Sequence, residues 1–107
     1  GEHFSFEDAK KTVLEGLAPM GEEYLSHLKD GFEHGWIDVY ENQGKRSGAY
    51  SWGAYGTHPY VLLNYQGTLN DVFTLAHEMG HALHSWYSDE TQPYIYAGYR
   101  IFVADLQ

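Results

Sequence analysis

Apolar residues in the first third of the chain recur at helical intervals. Ala9, Val13, Leu14 and Leu17 form one run, and Tyr24, Leu25, Leu28 and Phe32 form a second, with Glu22, Glu23, Lys29 and Glu33 between them. Ser5 and Asp8 stand at capping-box spacing ahead of the first run, with Asp in place of the usual Glu. Pro19 and Gly21 interrupt the pattern and Gly35 closes it, so two short antiparallel helices are expected.

The texture then changes. Trp36–Tyr40 reads as a short strand, 41–47 as a polar turn, and 48–56 as a glycine- and aromatic-rich stretch without an assigned element. Tyr60–Tyr65, β-branched and aromatic between Pro59 and Gly67, is the strongest strand. Thr68 and Asp71 repeat the capping spacing and open a helix through Val72, Leu75, Ala76, Met79 and Leu83 to about Tyr87. A polar loop follows over 88–93, and the second half of 94–106 reads as the start of another helix. The expected fold class is α+β, mainly helical: two N-terminal helices, a short antiparallel sheet or hairpin, then the long helix and the start of the next.

A length of 107 residues limits the chain to a single unit, and 43% hydrophobic with 20% charged residues is the balance of a globular protein. Six basic against 15 acidic residues give a net charge of −9, which repels phosphate backbones and excludes nucleic acid as a partner. No apolar run reaches the roughly 18 residues that span a bilayer, so no membrane association is expected. The polar, acidic N-terminal stretch is no secretory signal, which points to the cytoplasm. The absence of cysteine removes disulfides, thiolate metal ligands and thiol nucleophiles. Gly44-Lys45 is not a phosphate loop, because Arg46 stands where Ser or Thr is required and Val39 where the first glycine belongs. Ten tyrosines and 17% aromatic residues exceed what a small core consumes, so exposed apolar surface and self-association as a dimer are expected.

The chemistry is concentrated in His77-Glu78-Met79-Gly80-His81, an HExxH within the long helix. Four residues of α-helix advance about 400°, so His77 and His81 project from one face about a turn apart and can share one zinc ion. Glu78, offset by about 100°, lies beside the metal, where it can take a proton from zinc-bound water. His84 shares the face. It is about 10.5 Å along the axis from His77, too far to share an ion with bonds near 2 Å, and is expected in the core or behind the ligands. A third ligand must be a later carboxylate: Asp89, Glu90 or Asp105.

The run GKRSGAYSWGAYGTHPYVLLNYQGTLNDVFTLAHEMGHALHSWYS, followed by QPYIYAGYRIFVA, closely resembles the oligoendopeptidase F branch of the thimet-oligopeptidase-like (M3) zinc metallopeptidases. The resemblance runs from about Phe4 to Ala104. It implies a zinc endopeptidase acting on short peptides, with His77, His81 and position 105 as metal ligands and Glu78 as general base. It further implies that an edge strand, for which Tyr60–Tyr65 is the candidate, pairs with extended substrate. Position 105 is Asp where the family has Glu, a side chain shorter by about 1.5 Å. Family members are several times longer and carry further catalytic tyrosine and histidine residues downstream. Residues 1–107 are therefore expected to form one unit of a larger catalytic domain. The alternative is a zinc-binding or structural piece that lacks turnover.

Overall fold

The computed structural model describes residues 3–41, 48–55 and 58–87. Helix α1, Phe6–Gly16, starts as its capping residues dictate: the Asp8 N–H donates to Ser5 Oγ at 3.0 Å. Pro19 sits in a 3₁₀ turn, Ala18–Met20, and Gly21 at φ 104° leads into α2, Glu22–Glu33. His34 caps α2, and Gly35, at φ 81°, turns the chain toward β1, Ile37–Tyr40. Strands β2, Gly48–Tyr55, and β3, His58–Asn64, follow, and then helix α3, Leu69–Tyr87.

The α+β, mainly helical reading holds, with three α-helices against one small sheet among the described residues. The sheet itself differs from the expected antiparallel one. Its order is β1-β3-β2, with β2 antiparallel to β3 and β1 parallel to it. The chain reverses at each end of β2, so β1 and β3 run the same way and β1 joins β3 on its free side. Tyr60–Tyr65 is therefore no edge: among the described residues β3 is the central strand, and β1 and β2 are the edges. The glycine-rich stretch that carried no assignment is β2, since pairing with β3 compensates for its weak strand propensity. Pro59 is tolerated in the central strand because the ladder skips beside it, between Trp52 and Tyr55, where no N–H is demanded. The expected loop and helix after Tyr87 lie outside the described residues.

Burial alternates along β3, with Pro59, Val61 and Leu63 inward and His58, Tyr60, Leu62 and Asn64 half-exposed. Helix α3 packs against β2 and β3. The core joins Ala9, Val13 and Leu17 of α1, Tyr24 and Leu28 of α2, Trp36, and Val72, Leu75, Met79 and Leu83 of α3. Trp36 is buried within it. Its indole stacks on His58 at 6.2 Å and 8°, lies 5.3 Å from the Trp86 ring, and occupies space above Gly31 that a side chain would need.

The N-terminal segment is tied to the β3–α3 connection. Phe4 N–H donates to the Gly67 carbonyl at 2.8 Å, and the Tyr65 hydroxyl donates to the Phe4 carbonyl at 2.5 Å and the Ser5 carbonyl at 3.2 Å. Burial of the Tyr65 phenol, with Asp71 as the next cause, pushes its pKa up to about 12. Among the described residues no helix is long and apolar enough to cross a membrane.

Candidate metal centre

Helix α3 has two unlike sides. Asp71, Val72, Leu75, Ala76, Met79, Gly80, Ala82 and Leu83 are buried, whereas Phe73, Thr74, His77, Glu78, His81 and His84 are half-buried. The helical period sorts them: packing consumes the apolar stripe and leaves the motif's polar groups on a face that solvent and ligands can reach. The helix is long enough to carry the motif well inside its ends, where backbone hydrogen bonds hold each residue in place.

The two motif imidazoles converge. His77 Nε2 and His81 Nε2 are 2.9 Å apart, with ring centroids at 4.5 Å and an interplanar angle of 80°. At that separation one nitrogen donates and the other accepts, so the two rings share an N–H···N hydrogen bond whose direction follows the tautomers. Two zinc–nitrogen bonds of about 2.0–2.1 Å at a tetrahedral angle require nitrogens roughly 3.3 Å apart, a small rotation of either ring away. The donor set therefore fits a zinc-type ion, for which His77 and His81 could supply two ligands. Burial lowers the pKa of His81, with the His77 ring adding to the effect and Glu78 opposing it. A neutral imidazole at pH 7 has its lone pair available to a metal.

Glu78 adjoins the pair on the half-buried side of α3, as its offset of about 100° requires. His84 lies one turn beyond His81; its Nδ1 is buried and has no hydrogen-bond partner among the described residues. Asp89, Glu90 and Asp105 lie outside the described residues, and among those described no three histidine or carboxylate side chains gather around one point. His58, without an assigned role in the sequence, is a ring partner of Trp36. His27 is half-buried near the Trp86 ring.

Two supports of the site escaped the sequence. One is the contact behind the motif, where Met79, within HExxH, packs against α2 at Gly31; a lone glycine inside a helical run was its only signal. The other is the Asp71 carboxylate, 1% exposed, which accepts the N–H groups of Gln66 and Thr68. The capping spacing pointed to Asp71, but not to its reach back into the connection.

The chain is similar to known proteins along nearly its whole length. "Oligopeptidase PepF" of Bacillus subtilis strain 168 is 57% identical over 106 residues, covering 99% of this chain and 16% of that protein. An "Oligoendopeptidase F homolog" of Lactococcus lactis is 54% identical over 103 residues, covering 96% of this chain and 17% of that protein. A crystal structure from Chlamydophila abortus superposes with a TM-score of 0.81 at 40% identity, over 98% of this chain and 20% of that one. The chain thus spans about a sixth of the curated relatives it matches. The sequence model of Peptidase family M3 matches residues 2–107, and the chain that carries this HExxH helix belongs to that family.

Proposed function

We propose that the chain forms the metal-binding part of a zinc-dependent endopeptidase that hydrolyses short peptides. The observation that carries the reading is the convergence of His77 Nε2 and His81 Nε2 at 2.9 Å on the half-buried side of α3. His77, His81 and a carboxylate from Asp105 would hold the ion. When bound, zinc supplies a Lewis acid that polarises the scissile carbonyl and acidifies the attacking water. Glu78 then acts as general base: its carboxylate takes the proton from the attacking water and delivers it to the leaving nitrogen. Strand β2 is an edge of the described sheet and packs against α3, so its backbone groups could pair with an extended peptide. The names oligopeptidase and oligoendopeptidase borne by the relatives are in keeping with short peptides as substrates.

Self-association belongs to the same proposal. Tyr40 and Tyr50 are 57% and 68% exposed, an apolar surface that a second copy could cover as a symmetric dimer.

One observation favours a second reading, a zinc-binding piece without turnover: among the described residues no three histidine or carboxylate side chains gather around one point. Zinc content and cleavage of a quenched fluorescent peptide decide between the readings. Glu78→Gln is expected to keep zinc and to lose cleavage by about 10²–10⁴-fold. Asp105→Glu is expected to tighten zinc binding. Chelator-sensitive cleavage that survives Glu78→Gln would contradict the mechanism, and zinc bound without cleavage by the unmodified chain would establish the second reading.

A further inference from the structure

We infer that Asp71 is a positioning residue for the His77–His81 pair, a role that rests on the metal-site reading above. Asp71 is a buried charged residue, 1% exposed, in the first turn of α3. Its Oδ2 accepts the N–H of Gln66 at 2.8 Å and of Thr68 at 3.3 Å, both in the connection between β3 and α3. Its own N–H donates to Thr68 Oγ1 at 3.1 Å and to the Thr68 carbonyl at 3.0 Å. Hydrogen bonds from backbone N–H to a carboxylate are about twice as strong as neutral ones, so this is a firm attachment.

The connection is itself anchored. The Gly67 carbonyl accepts the Phe4 N–H, and the Tyr65 hydroxyl donates to the Phe4 carbonyl. Asp71 therefore joins the start of α3 to the central strand and to the segment ahead of α1. His77 lies six residues further on, about 9 Å along the axis at 1.5 Å per residue, with unbroken helix between them. Over that distance a helix transmits both axial shift and rotation. A slip of one residue turns it by about 100°, which would carry His77 off the half-buried side and into the packed one. Met79 against α2 limits tilt from behind, and the Asp71 attachment sets the angle from the N-terminus. The second carboxylate oxygen, Oδ1, is buried without a hydrogen-bond partner among the described residues. Such an oxygen is a cost to folding that a plain helix cap does not require.

The test uses the full 107-residue chain, ¹⁵N-labelled and metal-free at pH 7.5, with imidazole ¹H–¹⁵N spectra of His77 and His81. Asp71→Ala is expected to shift both rings away from the shared Nε2···Nε2 hydrogen-bond pattern. Asp71→Asn, which retains an oxygen for Gln66 and Thr68, is expected to restore it. Val13→Ala, a core truncation on α1 with a comparable loss of melting temperature, is expected to leave both rings unchanged. With Co²⁺ added, affinity should fall about tenfold for Asp71→Ala alone, with an altered visible spectrum. Unchanged rings in Asp71→Ala, or equal changes in Val13→Ala, would overturn the inference. Should Asp71→Ala fail to fold, Asp71→Glu decides, because its longer stem displaces the connection and must move the same signals. An unmodified chain that binds no Co²⁺ refutes the metal reading, and the metal-free spectra still decide the role of Asp71.

Discussion

Gly31→Ala inverts the usual consequence of placing alanine in a helix. On an open helical face the change would stabilise by about 1 kcal/mol, because glycine loses more backbone entropy on folding. A Cβ at position 31 would instead meet Trp36 Cε3 at 2.7 Å, Trp36 Cδ2 at 3.0 Å and Met79 Cε at 3.1 Å. An ordinary carbon contact is about 3.5 Å or more, so the indole would have to retreat by roughly 0.8 Å. The ring has little room to do so, with His58 stacked on it at 6.2 Å and Trp86 at 5.3 Å. Overpacking of this kind costs about 1–3 kcal/mol. Two neighbours are crowded at once and one of them is a rigid ring, so a value in the upper part of that range is expected. After the helix-propensity gain, the net loss is about 1–2 kcal/mol. For a chain of this size that lowers the melting temperature by roughly 5–10 °C. Urea unfolding followed by circular dichroism, with tryptophan fluorescence as a second probe of the indole, measures it. Because Met79 lies inside HExxH, the variant should also weaken zinc binding. A gain in stability from Gly31→Ala would refute the packing argument outright.

Tyr65→Phe tests the tie between the N-terminal segment and the β3–α3 connection, and is expected to cost about 1 kcal/mol for the lost hydrogen bond to the Phe4 carbonyl. The folded-state pKa of Tyr65 is raised from 10.0 to about 12. Its contribution is therefore whole below pH 10 and is lost as the pH climbs through 12, so melting temperature should fall over that window in the unmodified chain and less steeply in Tyr65→Phe. Self-association predicts a dimeric mass by light scattering at tens of micromolar, reduced toward the monomer by Tyr40→Ser with Tyr50→Ser; a monomer throughout would contradict it.

Local chemistry determined much of this protein from the sequence alone. The capping pairs Ser5–Asp8 and Thr68–Asp71 and the apolar period of each helix act within a few residues, and α1, α2 and α3 follow them closely. The convergence of His77 and His81 was legible for the same reason, since the turn of an α-helix alone places the imidazoles at positions i and i+4 together. The sheet was not legible in this way. Strand β2 is rich in glycine and becomes a strand by pairing with β3, a partner whose identity depends on the whole chain. The parallel pairing of β1 with β3, and so the central place of β3, arises from the path of the chain around β2. The space above Gly31 and the reach of Asp71 back to Gln66 also belong to the tertiary structure. Helical period can say which residues share a face; only packing decides which backbone that face comes to rest against.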